Sequence, residues 1–499
     1  MRFGVRTFAL ALLLAGCAVG PNYKRPETVP VPTGWRDTTQ ALRDSSYANI
    51  PWWGVLGDTT LQALIREALK QNRDVHIALA RVNEARALLG VQRLELYPQI
   101  DIRAGARHSD GADSLLSGIT NKDAFYVGAG LSWELDFWGR IRRLNESARA
   151  TLLASEQGRR GVIMTVVSEV ARAYLEMLDL DGQVAIADSQ ATIRRQSLDL
   201  ARARYEGGLT SELDVRQGEA ALAIAEGTLS NALRQRTQKE NELSVLLGHP
   251  PGGVPRGLPL AQQKFPQVIP AGLPSGLLER RPDVLQAEEQ LRASNARIGA
   301  AIGALFPTIS LTSVGGTISS DVGNLFKTGT GFWNIAGNLI QPIINHSRNR
   351  KQVAAERART EAAVGQYENA VLNAFREVED GLTDVQRLRE EADAASRAAT
   401  AATLAVGLAA DRYEGGVDTY LTLLDAQREQ LNAQLQESQL QRQQRVAVVR
   451  LYKALGGGWD PVTDSLALPP PKKAAAADTA AAKKPAAGDT AAPSKKPAQ

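Results

Sequence analysis

Two periodicities alternate along this chain. From Phe125 to Phe137 every second residue is apolar, so Phe125, Val127, Ala129, Leu131, Trp133, Leu135 and Phe137 share one face. Tyr126, Gly128, Gly130, Ser132, Glu134 and Asp136 share the other. A period of two predicts a strand with one apolar and one polar face. Residues 98–107 behave alike, with Ile100, Ile102, Ala104 and Ala106 set against Gln99, Asp101, Arg103, Gly105 and Arg107. A weaker pair is predicted at about 307–319 and 332–343, with Ile309, Leu311, Trp333, Ile335 and Leu339 on its apolar face. Strands of a soluble sandwich usually run to five or six residues. These are as long as an outer-membrane span. Tyr97, Phe137, Trp138, Phe306, Phe332 and Trp333 stand at the strand ends, where membrane barrels carry aromatic girdles.

Elsewhere the apolar spacing alternates three and four. Ile163, Val167, Val170, Tyr174 and Met177 form one such seam, and Val371, Phe375, Val378, Leu382 and Val385 its counterpart. That period belongs to coiled-coil packing. No proline falls between Pro98 and Pro250, and only Pro342 interrupts the stretch from Pro307 to Pro461. Proline breaks helices, so these tracts predict two long helical regions. A helix over 140–206 would be roughly 100 Å long, too long for one globular core. Each long helix should stop at a glycine pair, Gly207-Gly208 or Gly415-Gly416, because glycine accepts the left-handed turn that ends a helix. A second helix then runs back to about Gly248 or Gly456, making a hairpin with its tip at the glycines.

The two halves are copies. Arg204-Tyr205-Glu206-Gly207-Gly208 returns as Arg412-Tyr413-Glu414-Gly415-Gly416, Glu169-Val170 as Glu377-Val378, and Asp74-Val75 as Asp283-Val284, in the same order and at nearly constant spacing. The chain therefore divides into a signal peptide (1–16), an N-terminal extension (17–58), a first repeat (59–248), a linker (249–275), a second repeat (276–457) and a tail (458–499). The predicted fold is mainly α with a transmembrane β part. Each chain offers four spanning strands, which cannot close a barrel, because membrane barrels begin at eight. An open edge in lipid leaves backbone groups unpaired. Two chains would give eight strands and a filled interior; three would give twelve and room for a lumen.

Composition and charge exclude more than they assign. With 43% apolar and 22% charged residues, a large core is available. A net charge of +4 without a clustered basic face argues against nucleic acid. His76, His108, His249 and His346 show no ligand spacing, and no cofactor or metal is expected. No Walker loop, nucleophile elbow or His-Glu-x-x-His motif occurs, so the chain does not read as an enzyme. Arg2 and Arg6 precede the apolar run Phe8 to Leu14, which is too short to span a bilayer and reads as an export signal. It ends at Leu14-Ala15-Gly16-Cys17, which resembles a bacterial lipobox, and Cys17 is the chain's only cysteine. Such a box implies a diacylglyceryl and an N-acyl chain on Cys17, and Ala18 in place of aspartate points to the outer membrane. The Pro-, Ala- and Lys-rich tail lacks apolar content and is expected to be disordered.

Several stretches resemble the TolC-like outer-membrane factors, in particular their lipidated NodT-type branch. The opening Cys17-Ala18-Val19-Gly20-Pro21-Asn22-Tyr23-Lys24-Arg25-Pro26 and the pair Trp52-Trp53 are similar to that branch. So are Leu277-Leu278-Glu279-Arg280-Arg281-Pro282-Asp283, Ala304-Leu305-Phe306-Pro307 and Tyr420-Leu421-Thr422-Leu423-Leu424-Asp425-Ala426-Gln427. The resemblance implies a homotrimer whose strands form a shared 12-stranded β-barrel in outer-membrane lipid. Its long coiled-coil hairpins would form a periplasmic α-barrel that closes at the tips. A periplasmic adaptor and an inner-membrane pump, of the RND type, would dock there and open it. Carried over by residue, Leu421 and Asp425 would form the constriction, Arg428 would pair with Asp425, and Tyr413 would join the latch between helices. Asp214 matches a tunnel-lining acid, whose counterpart in the second repeat is Thr422. Asn345-His346-Ser347-Arg348 departs from the Asp-Gly-Gly-Arg of many members, so the turn after the fourth strand should differ. Two other readings compete, a lipidated periplasmic adaptor and a structural coiled-coil protein. An adaptor needs only one helical hairpin, and a fibre has no use for the strands.

Overall fold

The computed structural model describes residues 18–27, 29–36, 57–108, 123–263, 270–272 and 274–457. Cys17, Trp52-Trp53 and the tail lie outside the described residues. The first repeat holds α1 (Thr59–Gln71), α2 (Arg73–Leu94), β1 (Gln99–His108), β2 (Asp123–Leu135), α3 (Arg140–Glu206) and α4 (Glu212–Leu246). The second holds α5 (Pro274–Arg280), α6 (Pro282–Gly303), β3 (Thr308–Ser319), β4 (Gly331–Ile340), α7 (His346–Glu414) and α8 (Tyr420–Ala454). The two halves thus present the same element order. Helix α3 has 67 residues and α7 has 69, about 100 Å each at 1.5 Å per residue. No described helix is long and apolar enough to cross a membrane.

All four long-strand segments pair in one antiparallel sheet of order β1-β2-β3-β4. The register sorts the side chains. Ile100, Leu131, Ser313 and Ile335 lie in one row, and Ile309 faces both Leu135 and Leu339, so the apolar residues of all strands share a face. The edge strands leave that face exposed, Ile102 by 80% and Trp333 by 79%, while Leu131, Trp133, Ile309 and Leu311 of the inner strands are half-buried. The opposite face carries Asp101, Arg103, Glu134, Asn334 and Asn338. Gly128 and Gly316 meet across β2 and β3, where a Cβ on Gly316 would come within 2.3 Å of the Val127 carbonyl oxygen. No side chain fits there.

The core sits where the short helices cross the middle of the long ones. Leu61, Ile65 and Leu69 of α1 meet Ile163, Val167, Val170, Tyr174 and Met177 of α3, with Val284 and Leu291 of α6, Val371 and Val378 of α7 and Leu451 of α8. These include the seam positions predicted from the three–four spacing. The returning helices end against the short ones in equivalent ways. Asn72 caps α2 through the Asp74 amide at 2.8 Å and donates to the Leu246 carbonyl at the end of α4 at 2.9 Å. Its counterpart Arg281 donates to the Ala454 carbonyl at the end of α8 at 3.0 Å. So α4 stacks on α2, and α8 on α6. The wall has four columns in the order α2/α4, α3, α6/α8, α7.

Four helix ends use one device. At both tips and at the ends of α4 and α8, a left-handed glycine (Gly208, Gly416, Gly248, Gly456) breaks the helix. The next amide reaches back to close the turn, as Leu209 does to Arg204 at 2.8 Å and Val417 to Arg412 at 2.9 Å. The strand-to-helix turns are less alike. Asp136 accepts the Ile141 and Arg142 amides at 3.0 and 2.8 Å, whereas its counterpart Asn345 makes no side-chain cap bond.

The N-terminal segment runs along the wall. The Val19 amide donates to the Trp138 carbonyl at 3.0 Å, and Arg143 donates to the Asn22 side chain at 2.7 Å. Arg25 binds the buried Glu288 through two hydrogen bonds, of 2.5 and 3.1 Å. Trp35 donates to the Gly272 carbonyl at 2.8 Å and packs edge-on against Phe375.

Candidate functional site at the hairpin tips

The tips bring together residues that are distant in sequence. Tyr413 ends α7 and Tyr420 begins α8; both are buried, with ring centroids 5.2 Å apart. They cover Ala201, Ala409 and Leu423 in a small apolar cluster. Burial raises the pKa of both hydroxyls, Tyr420 to about 12, and the nearby Asp214 carboxylate adds to both shifts. Asp214 lies in the first turn of α4 and accepts a hydrogen bond from Thr210. Tyr413 and the half-buried Asp214 thus meet at one place, against the second tyrosine.

Leu421, Asp425 and Arg428 occupy a different face. They follow one another at steps of four and three residues, about one turn each, on the side of α8 opposite the buried Tyr420, Leu423, Gln427 and Gln430. Leu421 is 53% exposed. Asp425 pairs with Arg428 at 3.1 Å along the helix, with both side chains more than half exposed. An exposed pair of this kind contributes little to stability, about 0.3–0.5 kcal/mol.

A residue given no role in the sequence reading completes the tip. Arg204 of α3 crosses to the other hairpin, donating to the Tyr413 and Glu414 carbonyls at 3.1 and 3.2 Å while stacking 4.9 Å over the Tyr413 ring. Its repeat counterpart Arg412 stays local and pairs with Asp418 in its own turn. The duplicated Arg-Tyr-Glu-Gly-Gly marked both arginines but not their different partners. Nearer the middle of the long helices, Arg442 of α8 pairs with the buried Asp179 of α3 at 2.9 Å. Beside it Glu176 faces Lys239 at 2.8 Å and Arg172 at 2.7 Å. Burial pushes the Glu176 pKa up, but these two cations more than offset it, and the carboxyl stays below its usual range.

The aromatic residues divide between the two ends of the sheet. Tyr97, Phe137, Trp138 and Phe306 gather where strands meet helices. There Trp138 stacks on Phe306 at 4.7 Å and donates to the Pro307 carbonyl at 2.8 Å. Trp333 lies towards the far end on the apolar face. Phe332 departs from the girdle expectation: paired with Gly316, in line with Gly128 and Arg103, it lies on the polar face. The period of two forces this, because adjacent residues of one strand cannot share a face. Among the described residues no cluster of His, Cys, Asp or Glu could hold a metal ion.

The outer membrane efflux protein family matches residues 64–249 and 273–457, one match to each repeat. The chain belongs to this family. It is 36% identical to the outer membrane protein OprJ of Pseudomonas aeruginosa over 464 residues, covering 92% of this chain and 96% of that one. It is 33% identical to the cation efflux system protein CusC of Escherichia coli O157:H7, covering 91% of this chain and 98% of that one. The open-state crystal structure of the MtrE outer membrane channel of Neisseria gonorrhoeae superposes with a TM-score of 0.79 at 32% identity, covering 89% of this chain and 98% of that one. Their names make them an outer membrane protein, an efflux system protein and an outer membrane channel. Helical hairpins and a four-stranded sheet in one chain are the architecture of this family.

Proposed function

We propose that this chain is the outer-membrane duct of a tripartite efflux system. It conducts small molecules passively from a periplasmic adaptor and an inner-membrane pump, of the RND type, to the exterior. The observation that carries the reading is a wall left open on both sides in both layers. Strands β1 and β4 each have an unpaired edge. In the helical layer, α2 leaves Leu88, Val91 and Leu94 exposed at one side, and α7 leaves Leu404 and Leu408 exposed at the other. Association of like chains satisfies both layers at once. Three copies give a twelve-stranded barrel around a lumen and a continuous helical tube, so the functional unit is a homotrimer. The exposed apolar face of the sheet then meets outer-membrane lipid, and its polar face lines the channel. The lipid anchor on Cys17 belongs to this reading. Ala18 packs against Gly139 beside Trp138, which would set the acyl chains at the aromatic layer.

The gate lies at the tips. Around a threefold axis, Leu421 and Asp425 of three chains form successive rings, and Arg428 neutralises part of the acidic charge. An acidic ring favours cations in the open duct. Closure brings like charges together, so a docked partner with modest differential affinity can tip the balance. The test is planar-bilayer conductance of the full-length protein beside Asp425→Ala. Asp425→Ala leaves three unneutralised Arg428 side chains at the constriction. Low, noisy conductance in the wild type that rises in the variant is the expected result. Absence of channels from both proteins, despite folded material, would discard the duct reading.

A further inference from the structure

The seam between α3 and α8 joins the two hairpins of one chain, and its character changes along its length. Near the core, at the middle of the long helices, it is apolar and charge-paired, with Leu175, Leu178 and Val446 buried. Asp179 there is held by Arg442 and by Ser438 at 2.5 Å. Towards the tips the buried positions turn polar. Gln190 donates to the Gln430 amide oxygen at 3.0 Å, and Gln427 donates to the Ser197 hydroxyl at 3.0 Å. Between them Arg194 donates to the Leu424 carbonyl at 3.3 Å. These links are incomplete. One oxygen each of Gln190 and Gln427 and the second terminal nitrogen of Arg194 are buried without a hydrogen-bond partner.

Arg194 is the extreme case. It is 7% exposed, and no ion pair reaches it among the described residues. The charged group facing it is Arg428, of like sign; Tyr420 is its other titratable neighbour. A buried guanidinium without a counter-ion destabilises the packed state, and one long bond to a carbonyl does not offset the lost hydration. When α8 moves off α3, water reaches the group and the penalty disappears. Water also completes the two glutamine amides.

We infer that Arg194 is a built-in opening bias. Its uncompensated charge loosens the tip half of the α3–α8 seam, so that the packed tips lie close in free energy to the parted ones. Its effect on conduction rests on the gate being at the tips. The test is hydrogen–deuterium exchange of the full-length protein, followed over residues 190–204 and 420–434, with planar-bilayer conductance on the same preparations. Arg194→Met keeps the length and removes the charge. Gln190→Glu keeps Arg194 and supplies a carboxylate one turn earlier on the same face. Each is expected to slow exchange about tenfold. Arg194→Lys retains the charge and is expected to leave exchange as fast as in the wild type.

Exchange that is unchanged or faster in Arg194→Met overturns the proposal; if that variant does not fold, Gln190→Glu decides by the same criterion. Slower exchange with lower conductance supports it. Slower exchange with unchanged conductance upholds Arg194 as the group that loosens the seam. That result overturns the placement of the gate at the tips instead.

Discussion

Arg204 offers a sharp test, because duplication supplies its own control. Arg204 is the tip group that donates from the first hairpin to the end of α7 in the second. Arg204→Met removes two hydrogen bonds from a charged donor to the last carbonyls of α7, a favourable interaction with that helix end, and the stacking over Tyr413. Discounted for partial exposure, these come to about 1–2 kcal/mol per chain. In a trimer whose tips open together, the sum is about 3–6 kcal/mol. At about 1.4 kcal/mol per tenfold change, the closed-to-open ratio falls by about 10² to 10⁴. The assay is single-channel recording in planar bilayers, reading open probability. The control is Arg412→Met. Arg412 has the same sequence context, but its partner Asp418 lies in its own tip turn. It is expected to leave open probability near that of the wild type. Equal effects from the two variants, or none from Arg204→Met, would refute the argument that bonds between hairpins hold the tips shut.

Two further outcomes follow from packing and from titration. Gly316→Ala places a methyl group against the Val127 carbonyl and Gly128, whereas Gly337→Ala meets nothing within 4 Å. The first is expected to abolish assembled trimers on unheated gels and the second to leave them intact; assembly of both would refute the close approach of β2 and β3. Tyr420 titrates near 10 in the unfolded chain and near 12 at the tip. Above pH 10 the unfolded state releases this proton before the folded one does, so the tip's stability is whole below pH 10 and declines as pH rises towards 12. Exchange protection of residues 413–423 should fall over that window in the wild type and less in Tyr420→Phe.

Long elements were legible because each obeys one dominant rule. Helix α3 spans the predicted 140–206, since no proline interrupts it, a left-handed Gly139 precedes it and Gly207-Gly208 stops it. The strands were legible from alternation, but their ends were not. Strand β2 stops at Leu135 rather than Phe137, because Asp136 turns away to cap α3. Strand β4 stops at Ile340, ahead of Gln341-Pro342, since proline has no amide to donate to a ladder. Apolar residues on the long helices likewise found their seam. The polar seam was invisible. Gln190, Arg194, Ser197, Gln427 and Gln430 are residue types that usually mark a wet helix face, and nothing local distinguishes a buried glutamine from a solvated one. Glu288 and its partners Tyr23 and Arg25 were hidden for the same reason, since 263 positions separate Arg25 from Glu288 along the chain.

Duplication built two hairpins alike in length, caps and turns, yet the tip chemistry is not alike. The acid of the first hairpin, Asp214, sits against the tyrosines and is bound by Thr210. In the second hairpin that position is Thr422, which faces Thr419 at 3.2 Å, and the acid has moved three residues on, to the exposed face. A tube made of identical hairpins would place every tip in an equivalent environment and give no preferred inner ring. Six hairpins of two alternating kinds permit one kind to hold and the other to constrict. On this reading the first hairpin supplies the latch, through Arg204 and Asp214, and the second supplies both the surface it grips and the charged face of the channel. The division requires the two hairpins of one chain to move relative to each other along the α3–α8 seam. That is where the buried polar side chains of the tip half are left incompletely bonded.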